Sequence, residues 1–156
     1  MIEPFDSEAG YRAAIDATLN LACRELRIFD ANLERMALDE PERSGLLLRF
    51  LGGESGRRLH IALHDPEPLQ IRHPRLLNLI RSHGHQIEVR QTPDHLRQLA
   101  DCLVLADAAH GVIRFHADHA RGKHVTDDTI ELHPYWQRFD DLWKECQICT
   151  PSAAGY

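Results

Sequence analysis

Lysine is scarce in this chain. Of 18 Lys and Arg residues only Lys123 and Lys144 are lysine. Genome composition explains that bias as well as phosphate binding does. Long apolar runs are missing too, and nothing approaches the ~20 residues that a membrane-spanning helix needs. The first residues, MIEPFDSEAG, have neither a basic nor an apolar stretch. They do not read as a secretory signal, and a cytoplasmic location is the expectation. Excess positive charge is absent, the formal net charge being -6. That argues against broad affinity for nucleic acid or an anionic membrane. Gly52–Gly53 lacks the Lys-Ser/Thr that completes a phosphate-binding loop, and no serine stands in a Gly-x-Ser-x-Gly elbow. Cysteine is limited to Cys23, Cys102, Cys146 and Cys149. Cys23 and Cys102 sit in apolar segments and read as small core residues. Cys146–Gln–Ile–Cys149 has no second pair to complete a four-ligand zinc site, and it closes a helix rather than opening one.

What is present fits one domain, with 156 residues and a hydrophobic fraction of 43%. We assign it to residues 1–150, followed by a disordered tail over 151–156. A helix is expected over Ser7–Arg24, capped by Asp6 or Ser7, with Tyr11, Ile15, Leu19 and Ala22 on one stripe. Glu25–Asp30 reads as a buried strand and Ala31–Asp39 as a polar connection. A second helix covers Pro41–Leu51 and stops at Gly52 and Gly53. Arg58–His64 alternates as a strand does. Asp65–Leu69 reads as a Pro-rich loop. A third helix runs from Pro74 to Ser82, then a strand covers Gln86–Arg90 and a helical turn Pro93–Leu99. Cys102–Ala106 and Gly111–His116 pair as a hairpin around Asp107–His110. His116–Asp128 is irregular, with an edge strand near Lys123–Thr126. The last helix runs from Pro134 to Gln147, with Trp136, Phe139, Trp143 and Cys146 as its core stripe. This order implies an α/β fold with a mixed, partly parallel sheet flanked by helices on both faces.

The segments LACRELRIFD, ALHDP, QIEVRQT, LVLADAAHGVIRF and QRFDDLWKEC follow one another as in one half of a phospholipase-D-like protein, which the chain resembles over most of its length. More narrowly, it is similar to a bacterial domain that often follows an N-acetyltransferase domain in longer proteins. Active phospholipase-D-like members carry His-x-Lys-x4-Asp, in which the histidine attacks phosphorus and the lysine holds phosphate oxygens. Aligned on the hairpin turn, Asp107 takes the aspartate position. The lysine position is then Cys102 and the histidine position Ala100. A later Gly-Ser-x-Asn motif would fall at Arg114–Ala117, RFHA, and is absent. The nearest imitation, His95–Leu–Arg97 with Asp101, has arginine for lysine and is one residue short. Active members also need two motifs for one site, and the chain has room for one half.

The remaining candidates are tied to position. His64 and Asp65 end one expected parallel strand and Asp30 another, and carboxyl ends of such strands border the ligand crevice of α/β folds. Turn capping is the alternative role for Asp30 and Asp65. Arg114 and His116 lie at alternate positions of the hairpin, sharing a face that can take an anion. His116, His119 and His124, with Asp118 between, have the ligand types of an open zinc site, with exposed loop histidines as the alternative. His83–Gly84–His85 sits at a helix end, where a histidine favours the dipole. The expectation is a non-catalytic module that binds a partner protein or a small anionic ligand, without a cofactor, as a homodimer or with a partner. The alternative is a degenerate or metal-dependent phosphoester hydrolase built on the histidine-rich loop, with a divalent metal. Nucleic-acid binding would need an arginine patch from Arg57, Arg58, Arg72, Arg75 and Arg81.

Overall fold

A computed structural model describes residues 1–151. The chain runs β1 (Ile2–Phe5), α1 (Glu8–Leu21), β2 (Glu25–Asp30), α2 (Pro41–Gly53), β3 (Arg58–Leu63), α3 (Glu67–Arg72), α4 (Pro74–Ser82) and β4 (Ile87–Gln91). A 3-10 turn (Asp94–Leu96) leads to β5 (Cys102–Ala106), β6 (His110–His116), β7 (His119–Val125), α5 (Thr129–Glu145) and β8 (Gln147–Ile148). All eight strands form one sheet in the order β1-β7-β6-β5-β2-β3-β4-β8. β2, β3 and β4 are parallel, joined by helical crossovers, and the other pairings are antiparallel.

Side-chain alternation along the strands separates two cores. Leu26 and Ile28 of β2, Leu59 and Ile61 of β3, and Cys102 and Val104 of β5 face α1 to α4. Phe29, Ala62, Leu103, Leu105 and Ile113 face α5. Helices therefore cover both faces, as the apolar pattern implies. α1 starts where Ser7 Oγ accepts from Gly10 N–H at 3.0 Å. Its stripe of Tyr11, Ile15 and Leu19 is buried.

Several expected elements shift. α5 begins at Thr129, where Asp128 caps Glu131 N–H at 3.0 Å. Pro134 therefore lies one turn inside the helix rather than at its start. Along α5, Leu132, Phe139 and Leu142 are buried, while Trp136, Trp143 and Cys146 pack at the margin. His119–Val125 is not irregular but a full strand between β1 and β6. The connection after β2 is polar in composition, yet it buries Leu33, Met36 and Leu38, with Leu33 and Ala37 at positive φ. Residues from the expected Pro-rich loop instead open α3. Cys23 is exposed rather than in the core. Among the described residues no helix is long and apolar enough to cross a membrane. Of the tail expected to be disordered, 152–156 lie outside the described residues.

Candidate functional site

The β5–β6 hairpin forms as the sequence implies, with Cys102 opposite Arg114 and Ala106 opposite His110. Its turn places Asp107 and Ala108 at φ of 57° and 58°. The Asp107 carboxylate turns back on the α1–β2 junction. It accepts from the backbone N–H groups of Cys23 at 2.7 Å, Arg24 at 2.8 Å and Glu25 at 2.9 Å. Cys102 is buried, and burial, followed by the charge of Asp30, pushes its thiol far above the usual range. A thiol held in that form is a poor nucleophile and a poor phosphate ligand.

Beside Cys102, Arg114 is fully buried, with 0% relative exposure. Its two terminal nitrogens donate to the Glu8 carboxylate at 2.7 and 3.0 Å. Its remaining donors reach His116 O at 3.3 Å and Ala117 O at 2.9 Å. The guanidinium lies 4.7 Å from the Tyr11 ring centroid. A register shift between Arg114 and His116 curls the end of β6 around this charge. Two further arginines converge here. Arg35 donates to the same Ala117 carbonyl and to Asp118 at 3.4 Å, and Arg12 Nε donates to Arg35 O at 3.4 Å. The hydrogen bonds from Arg114 hold the Glu8 carboxyl below its ordinary range, and the charges of Arg114, Arg35 and Arg12 add to this against the cost of burial. The same bond pushes Arg114 upward. Next to this cluster, the buried Tyr11 hydroxyl has no hydrogen-bond partner among the described residues.

The residues expected to form a ligand site converge only in part: Asp30 and Arg114 both act on the Cys102 thiol, whereas His64, Asp65 and His116 turn elsewhere. Asp30 is buried on the α1 side and caps its own turn, accepting from Asn32 N–H at 3.2 Å and Leu33 N–H at 2.7 Å. His64 lies against Phe29 on the α5 side, edge to face at 5.3 Å. Its ring nitrogens contact Thr92 Oγ1 at 2.6 Å and Leu99 O at 2.7 Å, so it ties the end of β3 to the approach to β5. Asp65 accepts from Glu67 N–H at 3.1 Å and caps the turn into α3. His116 does not share the Arg114 site. The register shift breaks the alternation, and the exposed ring takes the Asp118 N–H instead.

The three-histidine metal site is corrected as well. His116 and His119 are neighbours at 5.3 Å between ring centroids. His124 lies five strand steps from His119, about 17 Å along β7 and on the opposite face. Among the described residues no cluster of three ligating side chains has metal-binding geometry. Cys146 packs in the α5-side core and Cys149 in the other, so the extended chain between them points the two thiols apart. Burial pushes Cys146 up to about 11 and raises Cys149. The His95 imitation disperses: His95 meets Glu145 at 3.0 Å, while Asp101 pairs with Arg138 at 2.7 Å. The arginine patch disperses too, because Arg57 and Arg58 precede β3 or open it whereas Arg72 follows its far end. His83 does cap α4, through its backbone N–H and ring to Leu79 O.

The model of a family described as Domain of unknown function (DUF7931) matches residues 7–152. The chain belongs to that family. No curated protein sequence matches it. Solved structures share its fold. A phospholipase D family member, Nuc from Salmonella typhimurium, superposes with a TM-score of 0.70 at 13% identity, covering 96% of this chain and 97% of that one. TrmBL2, described as an archaeal chromatin protein with a novel mode of DNA binding, gives 0.69 at 10% identity over 95% of this chain and 53% of its own. Phosphatidylserine synthase from Haemophilus influenzae Rd KW20 gives 0.64 at 12% identity, over 96% of this chain and 40% of its own. The fold is phospholipase-D-like, and identities this low speak for the fold alone.

Glu8, Arg12 and Arg35 carry no signal in the sequence that marks them as site residues. They come from the start of α1 and from an irregular loop, and only the tertiary fold brings them to Arg114.

Proposed function

We propose that this chain is a non-catalytic phospholipase-D-like module that binds a small anionic ligand. The observation that carries the reading is the arginine cluster of Arg114, Arg35 and Arg12, set beside the β5–β6 hairpin. Ala100 and the buried Cys102 stand where the resembled enzymes place histidine and lysine. Arginine favours phosphate or carboxylate recognition by paired donors, and the charges of all three guanidiniums act on one carboxylate, that of Glu8. The alternative hydrolase, built on His116, His119 and His124, is disfavoured by the length of β7 that separates its ligands.

Hydrolysis of bis(4-nitrophenyl) phosphate, followed at 400 nm with and without chelator, tests this reading. The expected result is no turnover above buffer. Robust turnover that survives chelator and co-purifies with the folded protein would overturn it.

A further inference from the structure

We propose that Glu8 is an internal plug in the anion seat of Arg114, and that the ligand which displaces it is a small phosphate monoester. This deepens the reading given under Proposed function and rests on it. The seat is built by three separate parts of the chain, namely α1, the loop after β2, and the end of β6. None of its arginines occupies the histidine or lysine position of the resembled enzymes.

Arg114 is the fixed element. It is fully buried, its Nε and one terminal nitrogen are tied to the carbonyls of His116 and Ala117, and it presents a two-nitrogen fork outward. Glu8 fills that fork, yet its own side chain is 46% exposed. Arg35 is also 46% exposed, and it shares the Ala117 carbonyl with Arg114. Arg12 lies behind it, against the Arg35 backbone. A carboxylate on a flexible side chain at the mouth of a rigid cationic seat can swing into solvent without moving the backbone. The other charges facing the seat are Asp118, on the rim and paired with Arg35, and Asp30, buried and bonded to two backbone amides. The first turn of α1 adds its partial positive charge on the same side.

Displacing Glu8 sets the ligand class. A tethered carboxylate competes at an effective concentration of roughly millimolar or more. A phosphodiester brings the single charge that Glu8 already supplies. A monoester carries about −1.5 to −2 charges near neutral pH and three terminal oxygens, enough to engage the Arg114 fork and Arg35 together.

The test uses calorimetric titration of the full chain with phenyl phosphate, with diphenyl phosphate and sulfate as controls. Glu8→Gln keeps the shape but removes the competing charge and, with one amide oxygen as acceptor, keeps only one of the two hydrogen bonds from Arg114, so phenyl phosphate should bind about tenfold more tightly than to the wild type. Arg35→Gln, at an exposed position, should weaken binding about fivefold. Thermal unfolding of Glu8→Gln should shift upward with phenyl phosphate and not with diphenyl phosphate. No binding to a folded Glu8→Gln protein overturns the proposal. Equal affinities in wild type, Glu8→Gln and Arg35→Gln, or equal binding of sulfate, mean an adventitious ion only and overturn it too. Diphenyl phosphate binding as well as phenyl phosphate overturns the ligand class. Each of these outcomes is independent of the hydrolysis assay, whose positive result would sink the non-catalytic reading instead.

Discussion

The Asp107 carboxylate gathers three amide hydrogens from the segment that joins α1 to β2, and it does so from a turn residue in the left-handed region. Asparagine and aspartate tolerate that backbone better than most other non-glycine residues do. Asp107→Ala therefore loses both the acceptor set and the conformational preference. The expected cost is about 2–3 kcal/mol, read as a lower urea midpoint with an unchanged slope. A cost within experimental error would mean that solvent replaces the carboxylate freely. The residue was legible in the sequence as the turn of a hairpin. Its three partners lie more than 80 positions away and left no trace in any local pattern. Arg114 was legible in the same partial way. Alternation along the strand placed it, but the register shift that buries it and turns His116 outward is a tertiary event.

α5 is held to the sheet by more than its apolar stripe. Arg27 lies 3.7 Å over the Trp136 ring and donates to Trp136 O at 3.1 Å, and Arg90 lies 4.3 Å over Trp143 and donates to Trp143 O at 2.9 Å. Between these arginines His60 stacks on Trp143 at 4.8 Å. Burial lowers the His60 pKa, with Arg27 and Arg90 acting in the same sense and Glu25 and Glu88 opposing it. The unfolded chain therefore takes up a proton on this histidine at a higher pH than the folded one does. Stability from this group is present above its unfolded value of about 6.5 and is lost as pH falls toward the folded value. His60→Phe keeps a ring on Trp143 and removes the titration. Melting temperature against pH should fall less steeply below 6.5 for this variant than for the wild type, and parallel curves would refute the assignment. Glu8 adds a second acid-labile step, below its own unfolded value near 4.5, because its folded pKa is depressed.

At this scale the sequence was most readable where periodicity was strong, in α1, α4, β3 and the hairpin. It was least readable at the sheet margins. β1 contains Pro4, which suits only an edge, and β7 (HARGKHV) has almost no apolar alternation because much of it faces solvent. The start of α5 was hidden because a proline is a common first helical residue, and here it sits a turn further in.

For the molecule as a whole, both cores share one sheet, and each central strand sends alternate side chains into one core and then the other. Melting of either layer strips one face of the strands on which the other layer packs. Both tryptophans, Trp136 and Trp143, lie on α5, so their fluorescence reports one layer, whereas far-UV circular dichroism reports all of the helices. The two urea transitions should coincide. A tryptophan transition at lower urea would show α5 detaching first, and would separate the arginine–tryptophan contacts from the main core. The fold class was readable at this scale from the order of elements alone. The pairing of β2 with β5 was not, since it joins segments far apart in the chain.

That pairing has a consequence for how the chain is made. β2 lies at the centre of the sheet, with β3 on one side and β5 on the other. During synthesis its partner on the β3 side emerges early, but the strand that covers its other edge leaves the ribosome about seventy residues later. Throughout that interval the nascent chain displays ELRIFD with at least one row of backbone donors and acceptors unanswered. A strand destined for the interior spends the early life of every molecule as an adhesive border, and slow translation between α3 and the hairpin would prolong its exposure.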